Sequence, residues 1–432
     1  MAMRSLVKKV IPKGVFRKIE PVGHTAEAML RNVQKGFPAK GLKVIGVTGT
    51  NGKTSTCFLI HKMLTDAGYK VGLMSTVAYG YRDNIKPQMT HMTSQTVPVF
   101  LKRVQELKDQ GAEWLILETT SHALAQGRVW GVPYTVAVMT NITHEHLAYH
   151  GTFERYLAAK RKLFTMTNKN RKGLRVGIIN ADDEHAKDFA TAIAHPVTYG
   201  LEGGDVKAAN VKLLATGVEY DAVAADKTYH ITCQLPGSFN VSNSLAAVCV
   251  GRALGLGAQQ IEQGIAALEG VEGRMTPIDE GQDFTVIVDY AHTPDSFEKL
   301  FKDMRPVIKG KMIVLFGSLG GGDKGKRPLQ GELAGKYADE VIVTMEDDRQ
   351  EDPQTILNDI AVGAEKAGKV RQKDLFIIHD RPEAIRFAFD HAQKGDTVLL
   401  LGKGHEKTIE DATGEHPWNE AEEAKKALRQ LA

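Results

Sequence analysis

Short runs of apolar, often β-branched residues alternate along the chain with longer stretches whose apolar positions recur at helical spacing. KVIGVTG (43–49) is the first such run. TSTCFLIHKMLTDAG (54–68) behind it sets Phe58, Leu59, His61, Met63 and Leu64 at intervals that suit one helix. KVGLMST (70–76), EWLILET (113–119), TVAVMTNI (135–142) and VGIINADD (176–183) read as further strands. VPVFLKRVQELKDQG (97–111) and FERYLAAKRKLF (153–164) read as helices between them. Residues 205–235 read as a small antiparallel insert and 241–269 as two helices. A second cycle then carries FTVIVDY, KMIVLFGS, EVIVTME, LFIIHD and DTVLLLG, each separated by a helical stretch. Alternation of this kind predicts an α/β fold with parallel sheets covered by helices on both faces. The expected division is a short N-terminal arm (1–41), a central domain (42–272) and a C-terminal, Rossmann-like domain (273–432).

The first 40 residues break this rhythm. They hold Arg4, Lys8, Lys9, Lys13, Arg17, Lys18, Arg31, Lys35 and Lys40 against Glu20 and Glu27 alone, with Pro12, Pro21 and Pro38 as punctuation. A short helix is expected over 24–34 and extended chain elsewhere. The arm is either a solvated segment packed on the next domain or a contact for an anionic partner such as a membrane surface, nucleic acid or phosphorylated substrate. The remaining composition narrows the class. In 432 residues, 42% are hydrophobic and 25% charged, with a net charge of +3, which excludes extended disorder. No apolar run is long enough to span a bilayer, and no signal peptide is apparent. Cys57, Cys233 and Cys249 are far apart, without CxxC spacing, which argues against a disulfide framework or structural zinc and for a cytoplasmic location.

Chemistry concentrates at strand ends. Gly49-Thr50-Asn51-Gly52-Lys53-Thr54, with Ser55 after it, lies between a strand and a helix. Glycines there let backbone N–H groups face phosphate, a lysine neutralises the β/γ oxygens and a hydroxyl holds Mg²⁺. The strict eight-residue phosphate-loop pattern fails at its first position, Val47. A second loop, Gly320–Gly325, satisfies GxGxxG after KMIVLFGS with Glu346 further on, the nominal dinucleotide fingerprint. Lys324, Lys326 and Arg327 crowd that turn, and a phosphate loop elsewhere already claims a nucleotide. Glu118 ends an apolar strand in Glu118-Thr119-Thr120-Ser121-His122, where it serves either a ligand or the cap of the next helix. In Thr143-His144-Glu145-His146, a histidine contacting a Mg²⁺-nucleotide site is favoured over zinc, because no cysteine or third ligand lies nearby.

Together the motifs resemble the muramyl (Mur) ligase family of peptidoglycan synthesis, most closely its MurE type, the tripeptide synthetases. The resemblance rests on GVTGTNGKTST, ETTSHALAQGRVWGV, TNITHEHLAYHGTFERYLAAKRKLF, INADDEH, LPGSFNVSNSLAA, EGRM, VIVDYAHTPD, GKRPLQGELA and GKGHE, nine segments in order across roughly 42–430. It implies ATP-dependent amide formation. A substrate carboxylate takes the γ-phosphoryl group, an amine attacks the acyl phosphate, and phosphate leaves, with ATP and two Mg²⁺ as cofactors. It also implies residue roles. Gly49, Thr50, Asn51, Gly52, Lys53, Thr54 and Ser55 hold ATP with Asn243, Arg274, Asp289 and His292. Thr54, Glu118, His146 and a carbamoylated Lys160 ligate metal, and Lys53, Glu118, His146 and Lys160 carry the catalysis. Thr93, Ser94, Thr120, Gln126 and Arg128 bind the muramoyl-peptide acceptor. Asp347, Arg349, Gly402 and Glu406 bind the incoming amino acid. Residues on both domains then have to meet, by closure about 272–273. The expected partners are a small-molecule peptide acceptor and a free amino acid, with no nucleic acid.

Two departures stand out. The family carries a whole UDP-binding domain ahead of the phosphate loop, whereas residues 1–41 stand in its place here. The acceptor is therefore either UDP-linked and gripped otherwise, or a lipid-linked or free peptide. In addition, Glu346-Asp347-Asp348-Arg349 replaces the Asp-Asn-Pro-Arg of diaminopimelate-adding members, and Gly322 stands where they carry a reading arginine. On charge alone this favours lysine or another basic amino acid over diaminopimelate, unless the acids face solvent. The alternatives to a cell-wall ligase are the same chemistry on a cyanophycin-like or polyglutamate-like acceptor, a non-catalytic binding protein, and a dehydrogenase.

Overall fold

The computed structural model describes residues 13–88, 95–143, 145, 147–214 and 216–431. They divide into two compact units, residues 1–211, 220–232 and 241–267 in the first and 212–219, 233–240 and 268–432 in the second.

Strands covered on both faces have no polar side to alternate with, so they appear in the sequence as continuous apolar runs. β1 (Lys43–Thr48), β2 (Val71–Met74), β5 (Trp114–Glu118) and β6 (Tyr134–Met139) are of this kind, buried at nearly every position. With β3 (Ala78–Tyr81), β4 (Asn84–Pro87), β7 (Val176–Asn180), β8 (His195–Gly200), β9 (Val206–Leu214), β10 (Gly217–Ala224) and β11 (Thr228–Cys233) they build one sheet of 11 strands. Its order is β11-β10-β9-β8-β7-β6-β1-β5-β2-β3-β4. β1 lies between β5 and β6, parallel to both, while β3 and β4 run antiparallel at one edge, so the sheet is mixed rather than parallel throughout. Residues 205–235, expected as a small antiparallel insert, form β9, β10 and β11 in succession at one end of the sheet. Their strands prolong this sheet, and β9 joins β8 in parallel at Tyr199↔Val206.

Helix Val97–Asp109 starts with Pro98 in its first turn, where the missing N–H costs nothing, and buries Val97, Phe100, Leu101, Val104 and Leu107 on one stripe. Helix Phe153–Lys169 is capped by Thr152, whose hydroxyl accepts from Arg155 N–H, and buries Tyr156, Ala159, Lys160, Leu163, Phe164 and Thr167. The N-terminal helix is longer than its sequence suggests: it spans Lys13–Gln34, and the extended reading of the chain ahead of residue 24 does not hold from Lys13 on. Pro21 falls inside it, where a proline removes one helical hydrogen bond. Its later turns pack on the loop after β5, where Asn32 Nδ2 donates to Trp130 O (3.1 Å) and Thr25 Oγ1 to Gln126 O (3.4 Å).

The second unit repeats the logic. β12 (Thr276–Ile278), β13 (Thr285–Asp289), β14 (Met312–Phe316), β15 (Glu340–Val343), β16 (Leu375–Ile377) and β17 (Thr397–Leu401) form a six-stranded sheet in the order β12-β13-β17-β14-β15-β16. It is parallel apart from β12. Core residues lie on both faces, Phe297, Phe316 and Leu357 in one cluster and Ile313, Leu400 and Phe389 in the other. A hairpin of β18 (Thr408–Asp411) and β19 (Gly414–Pro417) precedes the C-terminal helix Glu420–Leu431. Among the described residues, no helix is long and apolar enough to cross a membrane.

Candidate active site

In parallel sheets, ligands bind beyond the carboxyl ends of the strands, where helix N-termini and loop N–H groups converge. β1 opens into Gly49–Thr54 at that edge, and helix Lys53–Asp66 follows with no side-chain cap at Gly52. The turn needs glycine twice. At Gly49 (φ 151°) a Cβ would lie 1.8 Å from Thr140 Oγ1, and at Gly52 (φ 81°) 2.2 Å from Asn243 Oδ1. Neighbouring strand ends fix the loop: Thr50 N–H donates to Asn141 O (2.7 Å), Asn51 N–H to Asn141 Oδ1 (2.9 Å), and Thr140 Oγ1 to Asn51 O (2.6 Å). Lys53 Nζ donates to Thr50 O at 2.6 Å.

Glu118, at the end of β5, is the register partner of Val47, two residues before the loop. Its Oε2 accepts from Thr54 Oγ1 (3.0 Å) and from Thr76 N–H (2.8 Å), so a strand-end carboxylate and the phosphate-loop hydroxyl are already in contact. Two hard oxygens beside a phosphate site suit Mg²⁺, which takes one or two protein oxygens and completes its shell with water and phosphate. Lys160 is not the surface lysine that composition alone would suggest. It is 2% exposed, its Nζ donates to Gly49 O, and it lies 4.7 Å from the centre of the Tyr156 ring. Burial, and then the charge of Lys53, push its ammonium well below the usual lysine range, while Glu145 and Glu118 pull the other way. Tyr156 shares a 2.9 Å hydrogen bond with Thr50 Oγ1, and burial holds its phenol protonated. Tyr156 was not singled out from sequence, although it lies one helical turn from Lys160.

A small cavity reaches Glu118 and is lined also by Ser75, Gln88, Gln95, Phe100 and Arg128. Arg128 Nη1 donates to Gln95 O at 3.3 Å. Of the expected acceptor residues, Arg128 therefore shares a space with Glu118. Gln126 is buried nearby in sequence, and Thr120 caps the helix Ser121–Ala125 through Ala123 N–H. Asn243 meets the phosphate loop, with its Oδ1 accepting from Thr56 Oγ1 at 3.4 Å. Thr93, Ser94 and His146 lie outside the described residues.

In the second unit, Arg274 sits 4.6 Å from the centre of the Tyr290 ring. Asp289, raised by burial, accepts from Met275 N–H and Ala291 N–H at 2.8 Å each. His292 Nδ1 is 2.8 Å from Tyr290 O. Tyr290 hydroxyl donates to Glu406 Oε1 at 3.3 Å, which joins the expected nucleotide residues of this unit to an expected amino-acid residue. Lys403, fully buried, lies between Glu406 (2.6 Å) and Asp347 (2.9 Å), and despite burial the two carboxylates hold its ammonium above the usual range. Asp348 pairs with His379 at 2.6 Å, and Arg349 Nε with Glu410 at 3.1 Å. The acids of Glu346-Asp347-Asp348 do not face solvent. All three are buried, and the two that were counted as extra have partners in the chain. Glu346 Oε2 is buried without a hydrogen-bond partner, 2.9 Å from where a Cβ on Gly402 (φ 98°) would lie.

The model of the Mur ligase middle domain matches residues 47–251, and that of the Mur ligase, glutamate ligase domain matches 273–404. The UDP-N-acetylmuramyl-tripeptide synthetase of Roseiflexus sp. (strain RS-1) is 41% identical over 426 residues, 95% of this chain and 83% of that protein. The UDP-N-acetylmuramoyl-L-alanyl-D-glutamate–2,6-diaminopimelate ligase of Bacillus licheniformis is 38% identical over 419 residues, 95% of this chain and 84% of that one. A solved structure of an enzyme of that latter name aligns with a TM-score of 0.64 at 32% identity, covering 96% of this chain and 83% of its own. Folylpolyglutamate synthase of Mycobacterium tuberculosis shares the fold, with a TM-score of 0.71 at 15% identity. With both domains matched in order and about two-fifths identity to a tripeptide synthetase over 95% of this chain, the chain belongs to the Mur ligase family, as a MurE-type ATP-dependent acid–amino-acid ligase.

Proposed function

We propose that this ligase adds the third residue of the peptidoglycan stem peptide, diaminopimelate, to a cytoplasmic UDP-muramoyl dipeptide. The observation that carries the reading is the cavity shared by Glu118 and Arg128 beside the phosphate loop. Arg128 receives the acceptor's anionic groups, and the acceptor carboxylate extends toward Glu118 and Thr54. There its oxygen attacks the γ-phosphorus of ATP, the bond from that phosphorus to the β-phosphate bridge breaks, and ADP leaves. Lys53 draws the growing charge off the β/γ oxygens, a role worth several kcal/mol in a site closed to water. Bound at Thr54 and Glu118, Mg²⁺ supplies further charge neutralisation. The amine of the amino acid then attacks the acyl carbon and loses its proton as inorganic phosphate departs.

Lys160 is read as a carbamate. A neutral amine adds to CO₂ with loss of one proton, and the burial of Lys160 favours the neutral form. The product is an anion beside Lys53. For the amino acid, the preference for lysine expected from charge alone loses part of its premise, because Asp347 is bound by Lys403 and Asp348 by His379 rather than turned toward the incoming side chain. Glu346, with its buried unpartnered oxygen, suits an ammonium, and Arg349 suits the far carboxylate of a diacid. We place the boundary between the ATP-binding and amino-acid-binding parts at 272–273, beside Gly273 (φ 68°).

The test is ADP release by the purified protein with ATP and Mg²⁺. Release beyond a single turnover should require both a muramoyl dipeptide and diaminopimelate, and diaminopimelate should win a direct competition with lysine. UDP-linked and UDP-free acceptors run side by side decide whether the nucleotide handle is used. ADP release with neither acceptor would remove the reading.

A further inference from the structure

Beneath the proposed amino-acid pocket lies an ion pair with no exposed surface. Arg381 and Glu420 are each 0% exposed, and the carboxylate is gripped by Arg381 Nη2 (2.6 Å) and Nε (2.9 Å to Oε2), with Trp418 Nε1 donating to Oε2 at 2.8 Å. Replacing such a pair with apolar residues of similar volume is often neutral for stability, so folding alone does not call for a buried ion pair here.

The guanidinium has two further bonds, and their acceptors matter. Arg381 Nη1 donates to Met345 O at 2.9 Å, and Nη2 donates to Leu401 O at 2.8 Å. Met345 immediately precedes Glu346, and Leu401 immediately precedes Gly402. One planar, rigid group therefore bonds the carboxyl ends of β15 and β17, which are not neighbours: β14 lies between them. The two segments so joined, 346–349 and 402–406, supply Glu346, Asp347, Arg349, Gly402 and Glu406. The next residue back from Arg381 on the same loop, Asp380, caps helix Arg381–His391, and His379 O accepts from Thr344 Oγ1 and Met345 N–H. The staple is thus anchored on a third strand end. Glu420 neutralises it from the C-terminal helix, and its partner Trp418 follows the β18–β19 hairpin.

We propose that Arg381, held by Glu420, is a positioning residue for amino-acid recognition. It sets the spacing between the Glu346–Arg349 and Gly402–Glu406 segments without touching substrate. The inference rests on the ligase reading above and on the assignment of those segments to the amino acid. It predicts a selective kinetic defect. In the steady state, Arg381→Lys keeps the charge but cannot bond both carbonyls and Glu420, so KM for the amino acid should rise about tenfold or more. KM for ATP and for the acceptor should stay within about twofold. The double variant Arg381→Met/Glu420→Met removes the buried charges together and should keep a cooperative melt while showing the same amino-acid defect. Acyl phosphate trapped by hydroxylamine, formed from ATP and acceptor with no amino acid present, should stay near wild type in both variants.

A wild type that releases no ADP with any amino acid overturns the ligase reading and this inference with it. A working wild type whose folded variants keep an unchanged amino-acid KM overturns the inference alone, as does an equal rise in all three KM values.

Discussion

The loops 49–54 and 320–325 both follow a buried strand, both are rich in glycine, and both lead into a helix that begins with a lysine. They are stabilised in opposite ways. In the first, backbone N–H groups and the lysine are held by neutral oxygens: Asn141 O, Asn141 Oδ1 and Thr50 O. In the second, the chain supplies its own anion. Glu351 accepts from Gly321 N–H at 2.8 Å and pairs with Arg327 (2.8 Å) and Lys324 (2.6 Å). Gly325 N–H is taken by Asp323 Oδ1 at 3.0 Å. Glycine spacing makes a turn in both places, but whether that turn is free to take a phosphate depends on where the nearest carboxylate is. Glu351, the carboxylate that pairs with the cations of the second loop, lies outside the window of the glycine motif.

The sharpest way to break the comparison is to remove the first loop's cation. Lys53→Ala should lower ligation by about 10²-fold or more, since the β/γ-phosphates lose the lysine that the loop aims at them. Near-normal turnover by the purified variant would place the nucleotide elsewhere. Lys160→Arg comes next. It keeps a cation but cannot form a stable carbamate, and most activity should go, with no recovery in added bicarbonate. The pH dependence has a definite sign. Because the folded environment depresses the Lys160 pKa, the amine is neutral above that value and protonated below it, so wild-type activity should fall on the acid side and respond to bicarbonate only above it. An arginine variant as active as wild type would make Lys160 a structural residue.

A smaller effect separates the glycines. Gly52→Ala puts a side chain at φ 81° and against Asn243, so KM for ATP should rise by about tenfold. Gly322→Ala meets nothing closer than 3.4 Å and should leave every constant within about twofold of wild type. Equal defects in both would mean that the two loops serve the nucleotide alike.

These contrasts also mark how far the residues could be read in line. The strand–helix alternation was legible because strands covered on both faces must be apolar throughout, as β1 and β14 are. Glu118 was legible because a carboxylate ending such a run has few reasons to be there. The pairing of charges was not legible. Asp347 and Asp348 looked like excess acid because Lys403 and His379 come from other strand ends, joined to them only by the fold. The depth of Lys160 was not legible either: a helix register says which face a residue takes, not how deeply that face is buried. The mixed character of the large sheet was missed at β3 and β4, whose few residues carry too little pattern to set their direction. The added helical length at the N-terminus runs across Pro21, which local rules read as a break.

The gentlest test acts on the second loop itself. The Glu351 carboxylate is held well below the usual range, first by Arg327, then by Gly321 N–H and Lys324. Glu351→Gln keeps the shape and removes the charge. Arg327 retains Asp359 at 2.9 Å, so its guanidinium is not stranded, and the loss of stability should be modest, about 1–2 kcal/mol or a few degrees in Tm. A carboxylate whose folded pKa is depressed contributes fully above its unfolded pKa, and its contribution is lost as pH falls toward the folded value. The gap in Tm between wild type and variant should therefore be constant near neutrality and shrink below about pH 4.5. ATP affinity, measured by titration calorimetry at neutral pH, should not move, because the nucleotide belongs to the other loop. If Glu351→Gln weakens or strengthens ATP binding, the two loops are not divided as their bonding suggests, and Glu351 is then holding the place of a phosphate rather than closing a turn.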